Sequence, residues 1–312
     1  MKRIIFTDCK IDYTRAYGGA NGNKIGIIYN NENYMLKFPP KPTINKAISY
    51  TNSCISEHIS CKILNEIGMN AQKTLLGEYG NKIVVACKDF TEYNKRFFDF
   101  ASLKNTIIES EQEGYGTELN DILETIENQK IINKDNLKEF FWDMFIIDAF
   151  LGNFDRHNGN WGFLIDEDKN ISIAPIYDCG SCLFPQNDDK QMEESLKDLQ
   201  KMEDRLYSYP QSVIKINNIK INYYNFLTTT DNQDCLKSLN KISKKIDLIK
   251  IGKLIDETEY ISDTHKKFIK TILHERKTKI LDTSLTLNPN FSKWKSKQQN
   301  HKNIYDRDET GR

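Results

Sequence analysis

The chain has 312 residues, and its 44 acidic residues balance its 44 basic ones, so the formal net charge is zero. A 38% hydrophobic content with 16 Phe and 15 Tyr gives ample material for a core and excludes a disordered chain, and the lack of a basic excess speaks against nucleic acid as a partner. Fifteen Gly and seven Pro exclude collagen-like or linker architecture. The first ten residues hold only a short apolar run before Thr7 and Asp8, too little for a Sec signal. The most apolar stretch, residues 140–151, carries Asp143 and Asp148 and is too short to cross a bilayer. A protein that is cytoplasmic where it is made, with no membrane span, is therefore expected. Its seven Cys are odd in number and read as reduced thiols. Cys179 and Cys182 form a C-x-x-C without the further ligands that a zinc site needs.

In chain order, residues 17–24 (YGGANGNK) make a Gly-rich turn whose backbone N–H groups could cradle phosphate. It matches neither G-x-G-x-x-G nor G-x₄-G-K-[ST], and the plainer reading is an ordinary loop. Residues 24–29 and 34–38 are β-rich and are predicted to form a hairpin around Asn30-Asn31-Glu32-Asn33. Alternation sends Tyr34, Leu36 and Phe38 to one face and Met35 and Lys37 to the other. Residues 53–67 are predicted to be a helix, with Ile55, Ile59, Ile63 and Ile67 four apart and Gly68 at its end. Glu57 lies off that stripe and is the natural partner for Lys37. The plainer alternative is an edge-strand Lys and a solvated Glu. A second hairpin is expected from 73–76 and 82–87. Beyond Asp89 the pattern turns helical, most clearly over 118–132 and 135–150, the latter apolar nearly all round and so buried. Residues 161–165 and 171–176 are β-rich, and 188–281 read as helices. From about 291 the chain is Lys- and Gln-rich, and a disordered tail over 291–312 is expected.

The polar segment 152–162 (GNFDRHNGNWG) joins a buried helix to a hairpin. Asp155 and Asn160 stand five apart, and Asp178 follows the next strand in Asp178-Cys179-Gly180. Two carboxylates and an amide oxygen suit Mg²⁺, with one carboxylate left to orient a substrate hydroxyl. A D-x₄-N spacing arises roughly twice by chance in so Asx-rich a chain, so an Asx turn capping strands is an equal reading of that segment alone. Residues 188–204 hold seven acidic residues against three Lys. They could form a negative rim that favours basic peptides, or only the outer face of a helix.

The order of the parts carries more than any one of them. A Gly-rich hairpin, a strand Lys, a helix Glu, D-x₄-N and Asp-x-Gly succeed one another as in a protein-kinase-like phosphotransferase. With Asp-Arg-His-x-x-Asn at 155–160, the chain resembles the HipA-like Ser/Thr kinases, specifically from about 17 to 185 and more loosely beyond. Within them it is similar to a small stand-alone pro-inflammatory kinase of a bacterial pathogen.

The resemblance implies an α+β, two-lobed kinase-like fold, with a sheet-rich N-lobe over 1–87 and a helical C-lobe over 88–290. It implies transfer of the γ-phosphate of ATP, with Mg²⁺, to Ser/Thr hydroxyls of a protein substrate, and autophosphorylation. By the same likeness Asp155 is the catalytic carboxylate, Asn160 and Asp178 bind Mg²⁺, and Lys37 contacts the α/β-phosphates and pairs with Glu57. Gly19, Asn21, Gly22, Asn23 and Lys24 correspond to the phosphate-binding loop. Ala86, Cys87 and Lys88 correspond to the hinge that meets adenine, and Asp89 lies near the ribose. His157 approaches a phosphate or braces the loop. An effector role with delivery to host-cell protein targets is implied by the likeness only. Residues 17–24 hold no Ser or Thr, so the autophosphorylated loop by which the family's toxins silence themselves is not expected. The alternatives are a kinase-fold enzyme acting on a small molecule or lipid, and an inactive pseudokinase. Retention of Lys37, Asp155, Asn160 and Asp178 together argues against the last.

Overall fold

The computed structural model describes residues 3–15, 17, 24–40, 50–92, 94–108 and 114–295. The N-terminal part is built on β1 (Lys10–Ile11), β2 (Lys24–Tyr29), β3 (Glu32–Lys37), α1 (Ser53–Glu66), β4 (Thr74–Tyr79) and β5 (Lys82–Lys88). Its strands form one antiparallel sheet in the order β1-β2-β3-β5-β4. The β2–β3 turn is tighter than the four residues expected. Asn30 and Asn31 both take positive φ, 49° and 63°, which a two-residue hairpin of primed type requires and Asn tolerates, so Glu32 and Asn33 join the strand.

The sheet has two apolar faces. Tyr34 and Leu36 of β3 pack with Phe6, Ile27, Val84 and Ala86 in a small outer core. Met35, Val85 and Cys87 on the opposite face meet α1 and the main core. Helix α1 is buried along most of its length, because β4 and β5 cover one side and a later helix the other. That arrangement brings the polar Glu57 and His58 under cover along with the isoleucines.

The second part contains β6 (Arg96–Asp99), α2 (Phe100–Ile107), α3 (Leu119–Asn128), α4 (Lys134–Leu151), β7 (Gly162–Ile165) and β8 (Ile171–Ile173). It continues with α5 (Asp189–Lys197), α6 (Leu199–Glu203), β9 (Lys215–Ile216), β10 (Ile219–Lys220), α7 (Tyr223–Thr229), α8 (Gln233–Lys245), α9 (Leu248–Asp256), α10 (Asp263–Glu275) and α11 (Thr283–Leu287). Wide π-helical turns cover Asp204–Ser208 and Arg276–Asp282. Helix α4 is the central element, as its all-round apolar pattern predicts, and packs against α8 and the second π-helical segment.

Three stretches differ from the helical expectation. Residues 96–99 form β6, which pairs antiparallel with β7 and sets Phe98 on Phe163. Residues 215–220 form the β9–β10 hairpin, whose Asn217 and Asn218 both take positive φ. The first residues of the stretch 291–312, expected to be a disordered tail, are ordered. Residues 289–295 are helical, and Phe291 is buried and stacks on Trp294 at 5.4 Å. Residues 296–312 lie outside the described residues. No helix among the described residues is long and apolar enough to cross a membrane.

Candidate active site

Strand β3 ends at Lys37, whose side chain lies on the α1 face of the sheet. Its ammonium is 3.0 Å from Asp178 Oδ1 and 3.1 Å from Glu57 Oε2. Burial opposes the Lys37 charge, but Asp178 and Glu57 more than offset it and hold the pKa well above the usual lysine value. Lys24 stands directly opposite Lys37 in the β2–β3 ladder, so two cations share one face. Like charges so placed repel. Burial, and then the Lys37 charge, lower the Lys24 pKa. Asp178 and Glu57 offset part of this effect on Lys24.

Glu57 is almost fully buried. Burial raises its pKa, although Lys37 pulls the other way, and its Oε1 has no hydrogen-bond partner among the described residues. Gly180 makes room for this carboxylate, since a Cβ there would lie 3.3 Å from Glu57 Oε2 and 3.5 Å from the Ser53 Cβ. The glycine of Asp178-Cys179-Gly180 thus lets the segment pass close over α1.

Helix α4 ends at Gly152 with φ +69°, a left-handed cap that a side chain would strain. The chain then turns into the polar loop. The Asp155 amide donates to Asn153 Oδ1 at 3.0 Å, and Asn153 Nδ2 donates to Asp148 Oδ1 at 2.8 Å. The Asp155 carbonyl accepts from the His157 amide at 2.8 Å and from Asn160 Nδ2 at 2.7 Å. The loop is thus tied by its backbone, and the Asp155 carboxylate takes no hydrogen bond from a described residue. Burial raises its pKa, with His157 and Arg156 opposing and Asp178 adding to the shift. His157 Nδ1 accepts from the Gly159 amide at 3.0 Å, which is the bracing role.

Sequence reasoning gives no role to Arg156 and Asp148, yet they hold the loop in place. Arg156 is 3% exposed and Asp148 2%. Arg156 Nε donates to Asp148 Oδ2 at 3.1 Å, Nη1 to the Asn160 carbonyl at 2.9 Å, and Nη2 lies 3.3 Å from Cys179 Sγ. One guanidinium therefore binds α4, the Asp155–Asn160 loop and the segment after Asp178. The available signal is an Asp within the apolar run 140–151, since a carboxylate in a helix buried all round must have a partner.

Asp178 is set by a parallel bridge between Ile176 and Ala71, with Gln72 N donating to Ile176 O and Ile176 N to Asn70 O, both at 2.8 Å. Its φ is +54°, an uncommon conformation for a residue with a side chain and one that concentrates at functional sites. The Lys37 ammonium, working against burial, brings its pKa down to about 2, so the carboxylate is ionised. Asn160 uses its amide nitrogen within the loop and leaves its oxygen without a donor among the described residues. An ionised carboxylate and a free amide oxygen are hard donors of the kind Mg²⁺ takes alongside phosphate oxygens and water.

Two expectations near the sheet need correction. Ala86 and Cys87 lie in the central strand β5, paired with Leu36 and Met35 on one side and with Leu75 and Thr74 on the other. The Lys88 amide donates to Lys73 O, and its carbonyl accepts from Gln72 Nε2. The backbone of 86–88 is committed to the sheet and is no free hinge for adenine. The Cys87 side chain is fully buried in the main core, on the Lys37 face of the sheet. The Asp89 carboxylate is fully engaged by Arg15, by Tyr17 OH at 2.9 Å, and by the amide and hydroxyl of Thr91 at 2.7 and 2.6 Å. It anchors the chain entering the Gly-rich turn rather than offering an open ribose acceptor. Of that turn, Gly19, Asn21, Gly22 and Asn23 lie outside the described residues.

Comparison with known proteins agrees with this geometry. The profile of the HipA-like C-terminal domain matches residues 16–246. The chain is 53% identical over 308 residues to the serine/threonine-protein kinase CtkA of Helicobacter pylori (strain J99), covering 98% of this chain and 94% of that one. The crystal structure of a Helicobacter pylori proinflammatory kinase CtkA superposes with a TM-score of 0.87 at 54% identity, over 91% of this chain and 97% of that one. HipA of Shewanella oneidensis MR-1, solved with HipB and operator DNA, shares the fold at 16% identity and a TM-score of 0.58, over 88% of this chain and 67% of that one. The chain belongs to the HipA-like C-terminal domain family, and within it to the serine/threonine-protein kinases.

Proposed function

We propose that the chain transfers the γ-phosphoryl group of ATP to Ser or Thr hydroxyls of a protein substrate, and to its own. The observation that carries this reading is the Lys37 ammonium held between Glu57 and Asp178, with Asp178 in turn within electrostatic reach of Asp155, a carboxylate that no described residue engages. Lys37 and Lys24 neutralise phosphate oxygens. Asn160 and Asp178 would hold Mg²⁺, which would supply charge neutralisation of the phosphates. Asp155 accepts a hydrogen bond from the acceptor hydroxyl, aims its lone pair at the phosphorus and takes the proton as the O–P bond forms, while the bond from the γ-phosphorus to the bridging oxygen breaks and ADP leaves. Arg156 and Asp148 position Asp155, Asn160 and the Asp178 segment relative to one another.

The test is phosphoryl transfer from radiolabelled ATP by wild type and Asp155→Asn, with protein, lipid and sugar acceptors side by side. Labelling of protein, lowered about a hundredfold or more by the substitution, is expected. Preferred labelling of lipid or sugar would favour a small-molecule kinase. Near-normal turnover by Asp155→Asn would remove the assignment.

A further inference from the structure

A cleft of about 400 Å³ opens beside Phe154, the residue before Asp155. This volume lies within the roughly 300–1,000 Å³ of sites that bury small groups. Its walls come from parts of the chain far apart in sequence: Tyr50 before α1, Phe154 in the loop, Phe184 and Gln186 after Asp178, Tyr209 and Pro210 after the first π-helical segment, and Lys220 on β10. The aromatic wall is fixed in place. Tyr50 lies against Phe154 with ring centroids 5.9 Å apart, and Phe184 meets Tyr209 edge-on at 6.3 Å. Arg205 lies 5.8 Å from each of the latter two rings. Leu183 and Phe184 both take φ of +59°, a strained turn held by the Leu183 amide on the Leu151 carbonyl.

Two polar features of this wall lack partners among the described residues. Gln186 Oε1 is buried without a donor, and the exposed Lys220 makes no ion pair. Both Tyr50 and Lys220 lie within electrostatic reach of Asp155, so the cleft adjoins the carboxylate assigned to the acceptor hydroxyl. The acidic residues of 188–204, by contrast, are partly neutralised at home. Glu193 pairs with Lys197 at 2.6 Å and Glu194 with Lys201 at 2.7 Å.

We infer that this cleft seats the acceptor segment of the protein substrate, taking an aromatic or large aliphatic side chain next to the phosphorylated Ser or Thr and a carboxylate against Lys220. The apolar side chain fills the wall of Tyr50, Phe154, Phe184 and Tyr209. Lys220 selects an acidic neighbour and repels a basic one, the opposite of the preference a negative rim would impose. The inference rests on the role proposed for Asp155, and it names the substrate chemistry of that site.

The experiment uses fluorescein-labelled decapeptides with a single serine, flanked on either side by Phe or Ala and bearing Glu, Ala or Lys as the next residue. Phosphorylation and binding are read separately, the latter by anisotropy with a non-hydrolysable ATP analogue and Mg²⁺. Phe in place of Ala is expected to improve kcat/KM and peptide affinity by about tenfold or more, as burial of an aromatic ring does. Glu is expected to be preferred over Lys by about fivefold at low salt, the scale of one exposed ion pair, with the preference fading as salt rises. Lys220→Glu, a surface change that does not threaten folding, should invert the charge preference and leave affinity for the ATP analogue unchanged. Tyr50→Ala should reduce the Phe preference. Equal handling of Phe and Ala peptides, or an unchanged charge preference in Lys220→Glu, would overturn the inference. If no peptide is phosphorylated but the same peptides bind with these preferences, the cleft stands and the phosphotransfer reading falls.

Discussion

Replacing Lys37 with Met tests the charge arrangement on which the site rests. Lys37 has a side-chain exposure of 12% and Glu57 of 2%, so the substitution leaves a carboxylate in a site with almost no solvent. Breaking a buried pair costs about 3–5 kcal/mol when the orphaned charge must stay charged. Glu57 has an escape, because it can take up a proton. From an ordinary carboxyl pKa of 4.5, protonation at pH 7 costs about 3.4 kcal/mol, which sets a ceiling. Burial already holds the Glu57 pKa above that value in the intact pair, so part of this penalty is present in the wild type. Asp178, with 41% side-chain exposure, regains water and adds only about 0–1 kcal/mol.

The expected loss is about 2–3 kcal/mol at pH 7, read by urea denaturation. Its sign with pH follows from the raised carboxyl. The penalty is present above the unfolded pKa of 4.5 and disappears as pH falls toward it, so at pH 5 the ceiling is only about 0.7 kcal/mol. Adding Glu57→Gln to Lys37→Met should restore most of the stability at pH 7, giving a coupling of about 2 kcal/mol in the double-mutant cycle. A loss under about 0.5 kcal/mol at pH 7, or additive effects of the two substitutions, would refute the pairing as the source of stability.

Asp178→Ala should abolish the Mg²⁺-dependent part of ATP affinity, seen by titration with and without the metal. Unchanged Mg²⁺-dependent affinity would exclude it as a ligand. Arg156→Lys should lower stability by about 3 kcal/mol and fail to restore activity, because one ammonium cannot meet Asp148, the Asn160 carbonyl and Cys179 together. A wild-type denaturation midpoint and turnover in Arg156→Lys would show that the fork geometry is dispensable. Because burial raises the Asp155 pKa and the carboxylate must be ionised to accept the proton, kcat/KM should fall as pH drops through a value above the ordinary 3.8. In Asp155→Asn the melting temperature at neutral pH should equal or exceed that of wild type, since a raised carboxyl pKa opposes folding there.

The strand alternation at 34–38 puts Lys37 on the α1 face, and the isoleucine stripe of α1 leaves Glu57 off to one side. Those local periodicities allow the pair without requiring it, and the order of the motifs along the chain is what favours it over an edge-strand Lys and a solvated Glu. The spacing of Asp155, Asn160 and Asp178 is balanced against an Asx turn in the same way, and the flanking helix and hairpin supply the context that raises it. Much else depends on tertiary contacts that no local pattern encodes. Strand β6 is only four residues long, and its identity comes from pairing with β7, some sixty residues later. Ala86 and Cys87 look like the start of a connection, but β3 and β4 enclose them in the sheet. The Arg156–Asp148 tie joins two ordinary-looking charges whose burial is decided by packing. The acceptor cleft is drawn from five separate segments, so its composition could not be read along the chain.

The end of α4 bears on when the chain becomes active. The final carbonyls of a helix need donors from elsewhere. Here the Leu151 carbonyl is met by the Leu183 amide at 3.0 Å and the Ala149 carbonyl by Arg276 Nε at 2.9 Å, while Arg276 Nη1 donates to the Arg205 carbonyl at 2.9 Å. Arg276 is 1% exposed and sits against Gly152, where the loop bearing Asp155 begins. Every residue assigned to the chemistry is translated well before position 276. A nascent chain therefore holds Lys37, Asp155, Asn160 and Asp178 before the arginine that meets the Ala149 carbonyl has been added. A chain that ends before position 276 would lack the bond to the Ala149 carbonyl and the guanidinium packed against Gly152, the cap from which the loop begins.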